Sequence, residues 1–210
     1  MRKLVVKTTF ITLGVALILL LSLFGVLSLC APAQMAKFTY KLGLETLSGD
    51  YSYQEYERSG DVEHLARSFE IAVEHGGVRK AESRFSLLVA DEHFAELCAE
   101  RDGATGGQTA PSFYYRGFVY GKGACMRYRL ARSESDKIKV CEFAVAETEE
   151  AFPAGSPVQW LAWEAASKKD FQFCELLLNA ITSADKSFAE NLDYTNTVVI
   201  LQNEISKKGS

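Results

Sequence analysis

An unbroken apolar run near the start constrains this chain more than any other feature. No charged residue occurs between Lys7 and Lys37, and within that gap Phe10 to Cys30 reads FITLGVALILLLSLFGVLSLC, 21 residues long. At 1.5 Å of rise per residue, a helix of that length spans about 30 Å, the thickness of a bilayer's hydrocarbon core. Arg2, Lys3 and Lys7 precede the run. The positive-inside rule therefore expects the N-terminus in the cytoplasm and the rest of the chain across the membrane, although Lys37 and Lys41 follow closely on the far side.

Two other fates compete for the segment. A cleavable signal peptide has an apolar region of about 7–15 residues, shorter than this one. Ala31-Pro32-Ala33 nevertheless offers small residues at the spacing a signal peptidase accepts, which leaves secretion after cleavage near Ala33 as the alternative. A lipoprotein signal would make Cys30 the acylated residue, but Leu29 is bulky where that signal wants a small side chain. The expected organisation is a signal-anchor over residues 1–33, with residues 10–30 in the bilayer, followed by an extracytoplasmic domain over residues 34–210.

That domain is acidic. The chain holds 23 Lys+Arg and 27 Asp+Glu; without Arg2, Lys3 and Lys7, residues 34–210 keep 20 cations against 27 acids, a net of −7. Such a domain is repelled by nucleic acid and by anionic headgroups taken as main partners. The composition, 48% hydrophobic with four prolines, is that of a packed protein rather than a disordered chain. Cys98, Cys125, Cys141 and Cys174 lie beyond the apolar run; four cysteines permit three disulfide connectivities, and no pair has C-x-x-C spacing.

Helical periodicity then dominates. Asp61 is a good N-cap, Glu63 lies in the first turn, and Val62, Leu65, Ala66, Phe69, Ala72 and Val73 recur at helical spacing until Gly76-Gly77. A second helix carries Ala81, Phe85, Leu88 and Val89 on one face; Asp91 caps a third, with Phe94, Leu97 and Cys98, that stops at Asp102-Gly103. Helix, two-glycine turn, helix is an αα-hairpin. A shift of 33 residues aligns Phe38 with Ile71, Gly43 with Gly76, Ser48 with Ala81 and Tyr56 with Val89. The same shift sets Ile138, Val140, Cys141, Ala144, Val145 and Thr148 on Phe171, Phe173, Cys174, Leu177, Leu178 and Ile181. The glycine-rich stretch 102–112, DGATGGQTAPS, reads as a loop between two halves.

Two-helix units at this period resemble the tetratricopeptide-type helical repeat in degenerate form, over roughly residues 36–182. In that family a small residue opens the second helix, which Ala81, Cys141, Cys174 and Ser48 match; the aromatic four positions on is matched only by Phe85, and Ser52 stands where it is due after Ser48. The family's Trp, Leu-Gly and terminal Pro pattern is not present. The resemblance, together with a looser one to single-pass bacterial proteins that display such a repeat outside the membrane, implies an all-α fold of stacked αα-hairpins and a scaffolding or binding role. Two segments rich in strand-formers, FYYRGFVYG (113–121) and TNTVVILQ (195–202), are also expected to be helical; Gly117, Gly121 and Ala124 give the first a flat face that another helix can approach closely.

Little in the chain points to chemistry. His64, His75 and His93 lack the i, i+4 spacing of paired metal ligands, and no H-E-x-x-H, G-x-S-x-G, G-x-G-x-x-G or P-loop string occurs. Glu147, Glu149 and Glu150 before Pro153 read as a solvated helix end, and Cys141 and Cys174 as compact core residues. The expectation is a non-enzymatic chain without cofactor or metal. One segment rises above this background. From Gly103 to Ser133 there is no acidic residue, while Arg116, Lys122, Arg127, Arg129 and Arg132 interleave with Phe113, Tyr114, Tyr115, Phe118, Tyr120 and Tyr128. Arg and Tyr are the side chains most enriched in binding hot spots, so Arg116, Tyr120, Arg127, Tyr128, Arg129 and Arg132 are the candidate contacts for a protein or acidic peptide partner. The same residues admit an internal reading, in which acidic neighbouring helices take up the cations and the rings fill the core. A membrane-anchored interaction scaffold is the leading functional expectation. The alternatives are a carboxylate-based, hydrolase-type helical enzyme and a structural subunit of a membrane complex, whose contacts would include Trp160, Trp163 and Val198–Ile200.

Overall fold

The computed structural model describes residues 2–104, 114–148, 156–184 and 192–209, and among these there is no strand. The chain divides into two compact units, Met1–Ile71 and Ala72–Ser210. The all-α expectation holds, including helices over 114–121 and 195–202 despite their strand-forming composition.

The first unit opens with α1 (Arg2–Cys30), which exposes large apolar side chains from Leu13 to Leu29. Ala31 breaks the helix at φ −142°, ψ 57°, and Pro32, free of any need for a backbone donor, starts α2 (Pro32–Lys41). Gly43 turns the chain at φ 73° into α3 (Glu45–Ser59). The α2–α3 interface is built from small side chains: Ser48 is fully buried and its hydroxyl donates to the Ala36 carbonyl at 2.7 Å. A second such contact joins α3 to α4 (Val62–Ile71), where buried Ser68 donates to the Gly49 carbonyl at 2.8 Å. Serine suits both places, because it lets backbones close while giving its hydroxyl an acceptor. Asp61 caps α4 as its position suggests, accepting from the Glu63 N–H at 3.0 Å.

The second unit begins with a π-helical turn, Ala72–Gly76, and Gly77 at φ 94° then starts α5 (Val78–Ala90). α6 (Phe94–Ala104), α7 (Tyr114–Leu130), α8 (Glu134–Ala146), α9 (Pro157–Lys168), α10 (Phe171–Ser183) and α11 (Leu192–Ser206) follow. α6 thus runs through the first three residues of the expected 102–112 loop; the rest of that stretch, with Phe113, Glu149, Glu150 and Pro153, lies outside the described residues. Caps set the later boundaries: Ser133 and Asp136 form a reciprocal capping box on α8, Ser156 caps α9, and Asp170 caps α10. The core gathers Ala81, Ala124, Cys141, Leu161, Phe173, Cys174, Leu177 and Leu201. Ala81, Phe85, Cys141 and Cys174 are all buried, as the helical spacing requires.

Helix α7 lies at the centre of this unit and is thinned on two faces. A Cβ added to Gly121 would lie 2.6 Å from Trp160 Cγ on α9, and one added to Gly123 would lie 2.6 Å from Phe85 Cζ on α5. Both rings therefore sit where α7 has no side chain. Gly121→Ala is expected to destabilise the fold by about 1–3 kcal/mol through overpacking against the indole, despite alanine's better helix propensity. Urea unfolding of the purified chain measures this, and an unchanged or raised midpoint would show that the indole can move aside.

Candidate functional site

Helix α7 and the link that follows it carry the six candidate residues, and the structure distributes them unequally. Tyr120 and Tyr128 are buried. The Tyr120 ring lies 5.8 Å from Phe85, 6.2 Å from Phe94 and 6.4 Å from Phe143, and Tyr128 packs 4.2 Å from Phe173. The Tyr128 hydroxyl donates to Asp170 Oδ2 at 2.9 Å; burial, and then that acidic neighbour, raise its pKa. The apolar area of both tyrosines is thus taken up inside the fold.

Two arginines have partners on neighbouring helices. Arg129 makes a two-pronged contact with Glu164 of α9, Nε at 2.7 Å and Nη2 at 3.0 Å, and Lys168 joins the same carboxylate at 2.8 Å. Burial opposes ionisation of Glu164, but the hydrogen bonds from Arg129 and Lys168 outweigh it and hold the carboxyl below its usual range. The Arg127 guanidinium lies 4.2 Å from the Phe143 ring centroid and 5.0 Å from that of Phe85, with Nε 3.5 Å from Glu82 Oε1 on α5. Cation–π contact between aromatic faces, rather than display to solvent, defines its place. Arg116 is exposed, with its guanidinium 5.4 Å from the Tyr120 ring, and Arg132 is exposed just beyond the end of α7.

Between α5, the end of α7 and α8 lies an open groove of about 390 Å³, lined by Glu82, Arg127, Leu130, Asp136, Lys139 and Phe143 among others. Its floor is apolar and its rim carries both signs of charge. Such a groove can hold a segment with an apolar face and polar flanks, oriented by the rim charges. Of these six, only Arg127 is among the six candidate contacts read from the sequence. Glu82, Asp136 and Lys139 belong to helices that meet only on folding, and nothing local to their positions marks them.

The remaining chemistry-bearing residues are placed as structural groups. Each histidine lies near a carboxylate close by in sequence: His64 at 3.9 Å from Asp61, His75 at 3.5 Å from Glu74, and His93 at 3.4 Å from Asp91. Among the described residues no group of three His, Cys, Asp or Glu side chains could hold a metal ion. Cys98, Cys125, Cys141 and Cys174 are buried free thiols. Burial pushes the first three up to about 12 and Cys174 to about 11, so they are protonated, poor nucleophiles at neutral pH.

Among the described residues the fold is all-α, with an uncovered apolar helix and a mixed-charge groove among helices α5, α7 and α8. No protein-family model, curated protein or solved structure matches it. The described helices show no identifiable tetratricopeptide-like repeat.

Proposed function

We propose that this chain is a non-enzymatic, membrane-anchored helical module that serves as a protein–protein interaction scaffold on the extracytoplasmic side. The observation that carries the reading is the surface of α1. Thr12–Cys30 has a mean hydropathy of 2.7 and none of it is buried within the protein. Leu19, Leu20 and Leu29 are 64%, 63% and 82% exposed, an apolar column that a bilayer would cover and water would not. Arg2, Lys3 and Lys7 favour a cytoplasmic N-terminus.

In this reading the helical units are displayed outside, related to tetratricopeptide-type stacking by the 33-residue recurrence of small and apolar positions. The partner is a protein or peptide segment with acidic character, met by Arg116 and Arg132 and by the groove that Arg127 lines. Tyr120, Tyr128 and Arg129 act beneath that surface, holding α7 to its neighbours. Expression of the full chain followed by alkaline carbonate washing of the membrane fraction tests the anchor. The expected result is a chain retained in the pellet with Met1 at its N-terminus; a soluble chain beginning at Gln34 overturns it.

A further inference from the structure

We infer that the tip of the α2–α3 hairpin is itself a bilayer-docking surface, seated in the headgroup layer beside the exit of α1; this rests on α1 spanning the membrane. Phe38, Leu42, Leu44 and Leu47 are 51%, 58%, 49% and 37% exposed. Single exposed apolar residues are ordinary, but four large ones within ten positions at one hairpin tip form a patch, and a patch implies a cover. Lys37 and Lys41 are exposed on the same hairpin. Apolar and aromatic side chains flanked by lysines, whose stems reach along apolar surface to lipid phosphates, are the composition of an interfacial contact.

The position of the patch selects lipid as its occupant. The apolar span ends at Cys30, and α2 starts two residues later. Ala31, at ψ 57°, departs from the helical value by about 100°, so α2 does not continue the helix of α1. The ten residues of α2 reach about 15 Å, so the tip stays close to the membrane exit. The root of the hairpin is fixed at that exit by two hydrogen bonds. Ser28 Oγ in the last turn of α1 lies 2.7 Å from the Tyr51 hydroxyl, and the Ala33 N–H donates to Glu55 Oε2 at 3.2 Å. On α2, Met35, Ala36 and Thr39 are buried while Phe38 and Leu42 are exposed, so a second apolar surface follows that of α1 within a dozen residues of Cys30. Covalent tethering keeps the patch at high effective concentration beside the lipid, where even shallow insertion is favoured.

The test uses the full chain with Cys30→Ser, since the other four thiols are buried, and one added cysteine, Leu20→Cys, Leu42→Cys or Leu44→Cys. Each is labelled with an environment-sensitive fluorophore and reconstituted in vesicles of phosphatidylcholine and phosphatidylglycerol. With labels at 42 and 44, quenching by shallow nitroxide lipids and several-fold weaker quenching by aqueous iodide than in the denatured chain are expected. The label at 20 should be quenched by deep nitroxide lipids. If the label at 20 is quenched by lipid while those at 42 and 44 stay open to iodide, the anchor stands and the docking surface is overturned. If no label is quenched by lipid, the anchor reading fails and takes the docking surface with it. Shielding at 42 and 44 without lipid quenching, relieved by dilution of the protein in lipid, would assign the patch to a second copy of the chain and overturn the inference.

Discussion

Phe85→Ala is expected to cost about 3–5 kcal/mol of stability, the range for removing a fully buried aromatic side chain from a core. Phe85 is 0% exposed and its ring meets Tyr120 and Phe143 edge-on, with centroids at 5.8 Å and 6.0 Å. Gly123 of α7 leaves the space that the ring fills, and the Arg127 guanidinium lies 5.0 Å from its centroid. Alanine would remove the ring from α5, α7 and α8 at once and leave a void that α7, held on its other face by Trp160, cannot easily close. Arg127 would lose one of its two aromatic faces. A loss of this size is a large fraction of the roughly 5–15 kcal/mol that separates a domain from its unfolded state. Urea unfolding followed by circular dichroism measures it. Phe85→Leu, which restores most of the volume, should recover much of the loss. An alanine variant as stable as the parent would mean that the α5–α7 contact does not hold this unit together.

Local features were legible in the sequence, and long-range ones were not. The start of α4 at Asp61, the interruption at Gly76-Gly77 and the burial of Ala81 and Phe85 all follow from caps and helical spacing, which are set within a few residues. Partner choice is a different matter. That Arg127 faces Glu82, and Arg129 faces Glu164, depends on which helices lie against α7. The 33-residue shift shows a subtler limit. Val140, Cys141, Ala144 and Thr148 are buried, and so are Phe173, Cys174, Leu177 and Ile181, but Ile138 is exposed, and Phe38 is exposed where Ile71 is buried, so the shift matches burial only in part. Yet α8 and α10 begin at Glu134 and Phe171, 37 residues apart. The two offsets differ by about one turn of 3.6 residues, so an apolar stripe fits either and cannot by itself fix where the helices start. Gly121 was visible as part of a small-residue face with Gly117 and Ala124. Gly123 lies on a different face of α7, where no small-residue pattern marks it, and only the packing of Phe85 reveals its role.

Asp170→Ala is expected to cost about 2–4 kcal/mol at neutral pH, from a lost helix cap and lost hydrogen bonds to an ionised group. One carboxylate ties three helices together. Oδ1 accepts the Phe173 N–H of α10 at 3.1 Å, while Oδ2 accepts the Tyr128 hydroxyl of α7 at 2.9 Å and the Lys137 ammonium of α8 at 2.8 Å. Burial alone would raise its pKa, but Lys137, the Phe173 N–H and Tyr128 together hold it below the ordinary aspartate value. A carboxyl whose folded pKa is depressed adds stability above its unfolded pKa, near 3.9, and loses that contribution as pH falls through the folded value. The gap in unfolding free energy between the parent and Asp170→Ala should therefore be full at pH 7 and shrink steadily below about pH 4. Glu164, depressed through Arg129 and Lys168, is present in both proteins, so its own acid loss cancels in the comparison. Asp170→Asn separates charge from hydrogen bonding, because the amide oxygen can still cap α10 while the attraction to Lys137 is gone. It should fall between the two proteins at pH 7 and lose less stability on acidification than the parent. A gap between parent and alanine variant that stays constant from pH 7 to well below the folded pKa would mean that ionisation of Asp170 adds nothing, and that its hydrogen bonds alone join α7, α8 and α10.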